Sequence, residues 1–106
     1  LFVGDVVDAQ LRLPLKGMGV GPIQIGTATQ TTIAELASMI VEVSEKDIQI
    51  KFDLDKPEGD GGRSGDYNKA NKLLDWDVYT LLQDGLKQTY DWAENQILMN
   101  KIDFEV

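Results

Sequence analysis

The chain has 106 residues, 42% of them hydrophobic, and a formal net charge of −8, with neither cysteine nor histidine. That is the size and composition of one globular domain with a modest core, and the missing residue types exclude disulfides, Cys-based zinc sites and any Ser-His-Asp or Cys-His hydrolase within the chain. The acidity argues against nucleic-acid binding and against attraction to an anionic membrane, since both need a basic face.

Leu1-Phe2-Val3-Gly4-Asp5 has no basic stretch leading into an apolar one, and no later apolar run approaches a membrane span. With no initiator Met, the chain reads as one cut from something longer, and a cytoplasmic origin is the default. Val6, Val7, Leu11 and Leu13 predict a short amphipathic helix with Asp5 as N-cap, ended by Pro14 and Gly17. Residues 17–22 are a glycine-rich loop. Ile23-Gln24-Ile25 alternates between breakers and predicts a short strand.

Thr32-Ile33-Ala34-Glu35 is a capping box, in which the Thr hydroxyl and the Glu carboxylate each satisfy a free backbone N–H. Ile33, Leu36, Ala37, Ile40 and Val41 follow on one helical face. Ile48, Ile50 and Phe52 alternate with Gln49 and Lys51 and predict a second strand. Strand, helix, strand implies a parallel β-α-β unit with a right-handed crossover. The polar stretch 53–66 is the main loop, after which Asp66 is placed to cap a short helix through Leu74. Thr80-Leu81-Leu82-Gln83 reads as a second capping box, opening a long helix to about Met99 with Leu82, Leu86, Tyr90, Ala93 and Ile97 on its inner stripe. The expected fold is α+β: a small parallel β-α-β unit with packed helices over residues 1–100, and a tail at 101–106 open to disorder.

Four patterns invite a functional reading. Gly59-Asp60-Gly61-Gly62-Arg63-Ser64-Gly65 is close to G-x-G-x-x-G, but Ser64 stands in the last glycine's place and no long helix follows, so a dinucleotide fingerprint is rejected. A solvated surface loop is the plainer interpretation. Yet Arg63 is one of only two arginines, and its planar fork matches phosphate oxygens, which makes it a candidate diphosphate contact. Asp53, Asp55, Glu58 and Asp60 are oxygen ligands suited to calcium, but they miss EF-hand spacing, and a solvated acidic loop is favoured. Tyr67, Tyr79 and Tyr90 are followed four residues later by Asn71, Gln83 and Glu94, so none has the helical lysine partner that tyrosine acid–base chemistry would use. With 18 acidic residues, chance carboxylate pairs rise above no background.

Four segments in order resemble the extended short-chain dehydrogenase/reductase family, the nucleotide-sugar epimerases and dehydratases. Phe2-Val3-Gly4-Asp5-Val6-Val7-Asp8-Ala9 is similar to the family's aromatic-Val-Asp-Asp-Val-Val-x-Ala segment. Ile23-Gln24-Ile25-Gly26-Thr27 and Thr32-Ile33-Ala34-Glu35-Leu36 resemble its Tyr-Asn-Ile-Gly-Thr-Gly strand and Thr-Ile-x-Glu-Leu helix start. Pro57-Glu58-Gly59-Asp60, then Arg63 through Ala70, resembles its loop and Asp-x-Ser-Lys-Ala helix start. Leu73-Leu74-Asp75-Trp76, Leu82-Gln83-Asp84-Gly85-Leu86 and Thr89-Tyr90-Asp91-Trp92 resemble its ending. The Pro-Glu-Gly and Gly-Arg-Ser details are most similar to GDP-mannose 3,5-epimerase-like members. The chain departs from the pattern at Gly4, Gln24, Ala28 and Asp75.

The resemblance implies a carboxy-terminal substrate-binding subdomain of a Rossmann-type enzyme. In that family the loop before the third segment's helix supplies an arginine to the substrate diphosphate and an acid to the ribose, for which Arg63 and Asp60 are the nearest matches. The implied partners are a nucleotide-sugar and the missing N-terminal Rossmann half, and NAD(P) is expected in the intact parent, none in this chain. The glycine-rich cofactor motif and the Tyr-x-x-x-Lys pair are expected upstream, so the chain alone is expected to bind without transition-state chemistry. The rival expectation is a free-standing interaction domain derived from such an enzyme, whose uncovered apolar surface favours self-association into a homo-oligomer or binding of a partner.

Overall fold

The computed structural model describes residues 1–99, and the expected tail lies outside them. Four helices make up its regular structure: α1 (Val3–Lys16), α2 (Ile33–Ser44), α3 (Asn68–Leu74) and α4 (Leu82–Leu98). α1 packs against α3, and α2 packs against α4.

α1 runs further than its sequence suggests. It starts at Val3, so Asp5 lies inside the first turn and is no cap, and it passes through Pro14 to Lys16. Proline removes one N–H and crowds the preceding turn, and here the helix ends within three residues of it. The terminal Gly17 N–H reaches Leu13 O at 2.8 Å. Gly17 is buried, and a Cβ there would come within 3.1 Å of Leu74 Cδ2, so glycine lets α3 close on the end of α1.

The core sits between these two helices. Ala9, Ala70, Leu74 and Trp76 are buried together, with Ile23, Ile25 and Val78 packed against them. Small residues at 9 and 70 permit the close approach of α1 and α3, while Leu74 and Trp76 fill the remaining volume. Trp76 Nε1 donates to the Asp5 carbonyl at 3.0 Å, which satisfies the indole inside the core. Lys69 on α3 donates to the carbonyls of Val20 (2.6 Å) and Pro22 (3.0 Å), tying the glycine-rich loop to the same helix.

In the other pair, α2 opens on the capping box read from the sequence. Glu35 N donates to Thr32 Oγ1 at 3.1 Å, and Thr32 N donates to the Glu35 carboxylate at 2.7 Å. Its expected inner stripe is only partly inward, since Ile33 is 79% and Ile40 42% exposed while Leu36, Ala37 and Val41 are half-buried. α4 begins at Leu82 with Leu81 as N-cap and no side-chain cap, so the second capping box is not formed. Gly85 is buried under Phe2, whose Cβ lies 3.1 Å from where a Cβ on Gly85 would stand. This contact joins the start of α1 to the start of α4.

The β-α-β unit expected from the alternating segments is absent: the described residues contain helices but no strand. Residues 23–25 and 48–52 make no backbone ladder with each other, and Ile48, Ile50 and Phe52 are exposed. Alternation marks a segment able to pair. A strand also needs a neighbour to take its N–H and C=O groups, and a two-stranded pair alone is marginal in water.

Candidate functional site

Residues 51–64 are exposed throughout, and the sequence-predicted pair Arg63 and Asp60 lies in this loop. The two side chains form an i,i+3 ion pair at 85% and 66% exposure. A Cβ at Gly59, Gly61 or Gly62 would meet nothing within 4 Å, and Gly62 has φ +140, a conformation that side chains rarely adopt. The loop therefore offers a charged fork on an open, glycine-rich backbone.

The other arginine is fully committed. Arg12 pairs with Asp8 at 2.9 Å and donates to the carbonyls of Leu74 and Asp75, so it fastens α1 to the end of α3. Arg63, by contrast, pairs with the exposed Asp60 on the open loop.

The loop's C-terminal root is held firmly. The Tyr67 ring lies beneath Gly26 and Gly65, and a Cβ on either glycine would overlap it. Its hydroxyl accepts a hydrogen bond from Gly65 N at 3.1 Å. Asp66 Oδ1 accepts from Asn68 N at 3.0 Å, so the predicted capping residue acts at the helix entry, although Tyr67 occupies the N-cap position itself. Gly26 and Tyr67 thus meet in space and fix where the Arg63 loop joins the body.

A groove of about 870 Å³ lies elsewhere, between Phe2, Ala28, Thr31, Leu36, Leu82 and Leu86 among its walls. Its volume is that of a small-molecule site. Neither Arg63 nor Asp60 lines it. Ala28, one of the departures from the family pattern, does.

Among the described residues no group of three acidic side chains converges as a cation site. The sequence search for a tyrosine–lysine pair missed one that the fold assembles: Lys46 Nζ donates to the Tyr90 hydroxyl at 2.7 Å and to the Glu94 carboxylate at 2.6 Å. Lys46 is 44 residues from Tyr90 in sequence, beyond reach of any spacing rule. The Glu94 carboxylate, then the Tyr90 hydroxyl, hold the ammonium pKa above the ordinary lysine value. A lysine held protonated by a carboxylate is a poor proton acceptor, and this cluster works as a clamp between the end of α2 and α4.

The 59–65 loop is not framed as a dinucleotide site. The glycine loop at 59–65 leads into a seven-residue helix and follows no strand, so it lacks the strand–turn–helix frame that aims helix N–H groups at a pyrophosphate. No helix among the described residues is long and apolar enough to cross a membrane.

The chain is 35% identical to UDP-glucuronic acid decarboxylase 3 of Arabidopsis thaliana over 85 residues, which is 80% of this chain and 25% of that protein. It is 36% identical to GDP-L-fucose synthase 1 of the same plant over 87% of this chain and 28% of the relative. With its GDP-mannose 3,5-epimerase it shares 33% identity over 94% of this chain and 26% of the relative. No protein-family model matches the chain, and no solved structure matches it. The chain spans about a quarter of the length of the curated relatives it matches. Three relatives with different activities match at nearly the same identity, so the likeness is one of family, and the chain belongs to the extended short-chain dehydrogenase/reductase family of nucleotide-sugar enzymes.

Proposed function

We propose that the chain is the substrate-side segment of a nucleotide-sugar epimerase or dehydratase, in which Arg63 holds the diphosphate and Asp60 the ribose. The observation that carries this reading is the contrast between the two arginines. Arg12 is spent on α1–α3 packing, while Arg63 stands in an open glycine loop with only Asp60 beside it. A guanidinium binds a diphosphate bidentately, and exchanging Asp60 for the ligand costs little because an exposed ion pair is worth at most about 1 kcal/mol. The relatives' names supply UDP- and GDP-linked sugars as the ligand class. In this reading the NAD(P) chemistry and the catalytic tyrosine and lysine belong to the cofactor half of the enzyme, and this segment positions substrate.

The test is calorimetric titration of the chain with GDP-mannose and UDP-glucuronic acid, wild type against Arg63→Ala. The expected result is weak binding of at least one ligand that Arg63→Ala abolishes, with no turnover. Equal binding by wild type and variant, or none to either ligand, overturns the assignment.

A further inference from the structure

Arg63 is joined to the folded body by little. Among the described residues, the hydrogen bonds of segment 49–64 stay inside it: Asp55 N and Lys56 N donate to Asp53, and Arg63 pairs with Asp60. Every residue of 51–64 is exposed, and the glycines around Arg63 leave open space beside the backbone. A loop of this kind spreads over many conformations, and ordering it around a ligand costs affinity.

The first hold on the body lies two residues after Arg63. Gly65 N donates to the Tyr67 hydroxyl at 3.1 Å, and only Ser64 separates that amide from Arg63. Tyr67 is the N-cap residue of α3, the helix that carries the buried Ala70 and Leu74, so its hydroxyl is fixed to the core. Two glycines make room for it. A Cβ on Gly65 would stand 2.9 Å from the hydroxyl oxygen, and one on Gly26 would stand 2.7 Å from it. The side chain thus has two separable parts. The ring fills the space against Gly26 and Gly65, and the hydroxyl takes the Gly65 N–H. Tyr67 stands at the open position of the Asp-x-Ser-Lys-Ala pattern, so the resemblance gives it no role.

We infer that Tyr67 is a positioning residue for Arg63. By holding the Gly65 N–H, its hydroxyl narrows the placements open to the guanidinium and so raises affinity for the substrate diphosphate. This rests on the functional reading above and deepens it. The effect is one of pre-organisation: the planar guanidinium fork meets a diphosphate in few orientations, and a restrained backbone loses less freedom when they are adopted.

Tyr67→Phe removes the hydroxyl and keeps the ring. Tyr79→Phe is the control, because the Tyr79 hydroxyl donates to Gly4 O at 3.2 Å and has no bond to the loop. Both variants, Arg63→Ala and the wild-type chain are titrated calorimetrically with GDP-mannose and UDP-glucuronic acid. Melting temperature and amide exchange at Gly65 are measured without ligand. The expected result is that Tyr67→Phe speeds exchange at Gly65, leaves the melting temperature unchanged and weakens binding about three- to tenfold, the range that one neutral hydrogen bond sets. Tyr79→Phe should bind as wild type does. Wild-type affinity in Tyr67→Phe overturns the inference, whether or not exchange at Gly65 is faster. An affinity loss that comes with a lower melting temperature, or that Tyr79→Phe reproduces, also overturns it, in favour of a general structural role. The two readings fail differently. Binding that Arg63→Ala abolishes and Tyr67→Phe leaves intact removes this inference alone, whereas a wild-type chain that binds neither ligand removes the diphosphate assignment and this inference with it.

Discussion

The buried carboxylate of Asp5 accepts hydrogen bonds from both the hydroxyl of Thr80, at 2.6 Å, and its backbone N–H, at 3.2 Å. The two residues are 75 positions apart, so this pair closes the chain on itself and fixes the entry to α4 against α1. Asp5 is fully buried, and Thr80 supplies two donors to the charge. Thr80→Val keeps the shape and removes the hydroxyl. A hydrogen bond to a charged group contributes about 1.5–3 kcal/mol, so chemical denaturation should show a loss of that order, and Thr80→Ser should restore most of it. A Thr80→Val chain as stable as wild type would show that the Asp5 charge is satisfied without the hydroxyl.

The contact between Gly26 and Tyr67 makes a second prediction. Gly26→Ala places a methyl group in the Tyr67 ring, with no backbone conformation to blame, since Gly26 is not among the glycines with positive φ. Overpacking of this kind costs about 1–3 kcal/mol. The double variant Gly26→Ala/Tyr67→Ala should cost clearly less than the two single changes added, because the clash exists only when both groups are present. Additive losses in a double-mutant cycle would place the strain elsewhere.

These two pairs show which features could be read from the sequence. The α2 capping box was legible because Thr32 and Glu35 are three residues apart and need no other part of the chain. The apparent box at Thr80 has the same pattern, but its hydroxyl is taken by Asp5, a partner no local rule can see. The strands failed for a related reason: the alternation at Ile48, Ile50 and Phe52 is present, yet no neighbouring strand takes the backbone groups. The open Arg63 loop was legible from glycine content alone. The Lys46–Tyr90 pair was not, because it depends on how α2 and α4 cross.

The Lys46 clamp is exposed, so its effect should be modest and dependent on conditions. Hydrogen bonds donated by Lys46 to Glu94 and then to Tyr90 raise the lysine pKa in the folded state. A raised lysine pKa gives stability that is fully present below the unfolded value and is lost as pH rises through the folded one. Lys46→Met should therefore destabilise the chain at neutral pH, and the gap to wild type should narrow in strongly alkaline buffer. High salt should narrow it at neutral pH as well, because screening weakens an exposed pair. Melting curves at low and high ionic strength test this, and a salt-independent gap would assign the loss to packing of the lysine stem.

Glu35 gives the opposite sign. Its carboxylate accepts from the backbone N–H of Thr32, and then from the Thr32 hydroxyl, and both contacts lower its pKa below the ordinary glutamate value. A depressed acid contributes stability that is complete above the unfolded pKa and is lost as pH falls through the folded one. Acidification through and below the ordinary glutamate range should therefore release the start of α2, as protonation weakens the capping box. Glu35→Gln keeps an acceptor for the Thr32 N–H but has no charge to titrate, so it should be less stable than wild type at neutral pH and converge with it in acid. Amide exchange at Thr32 and Leu36, followed from neutral to acidic pH in both proteins, reads the release directly. Identical pH profiles in the two proteins would show that the capping box does not contribute to the acid sensitivity of α2.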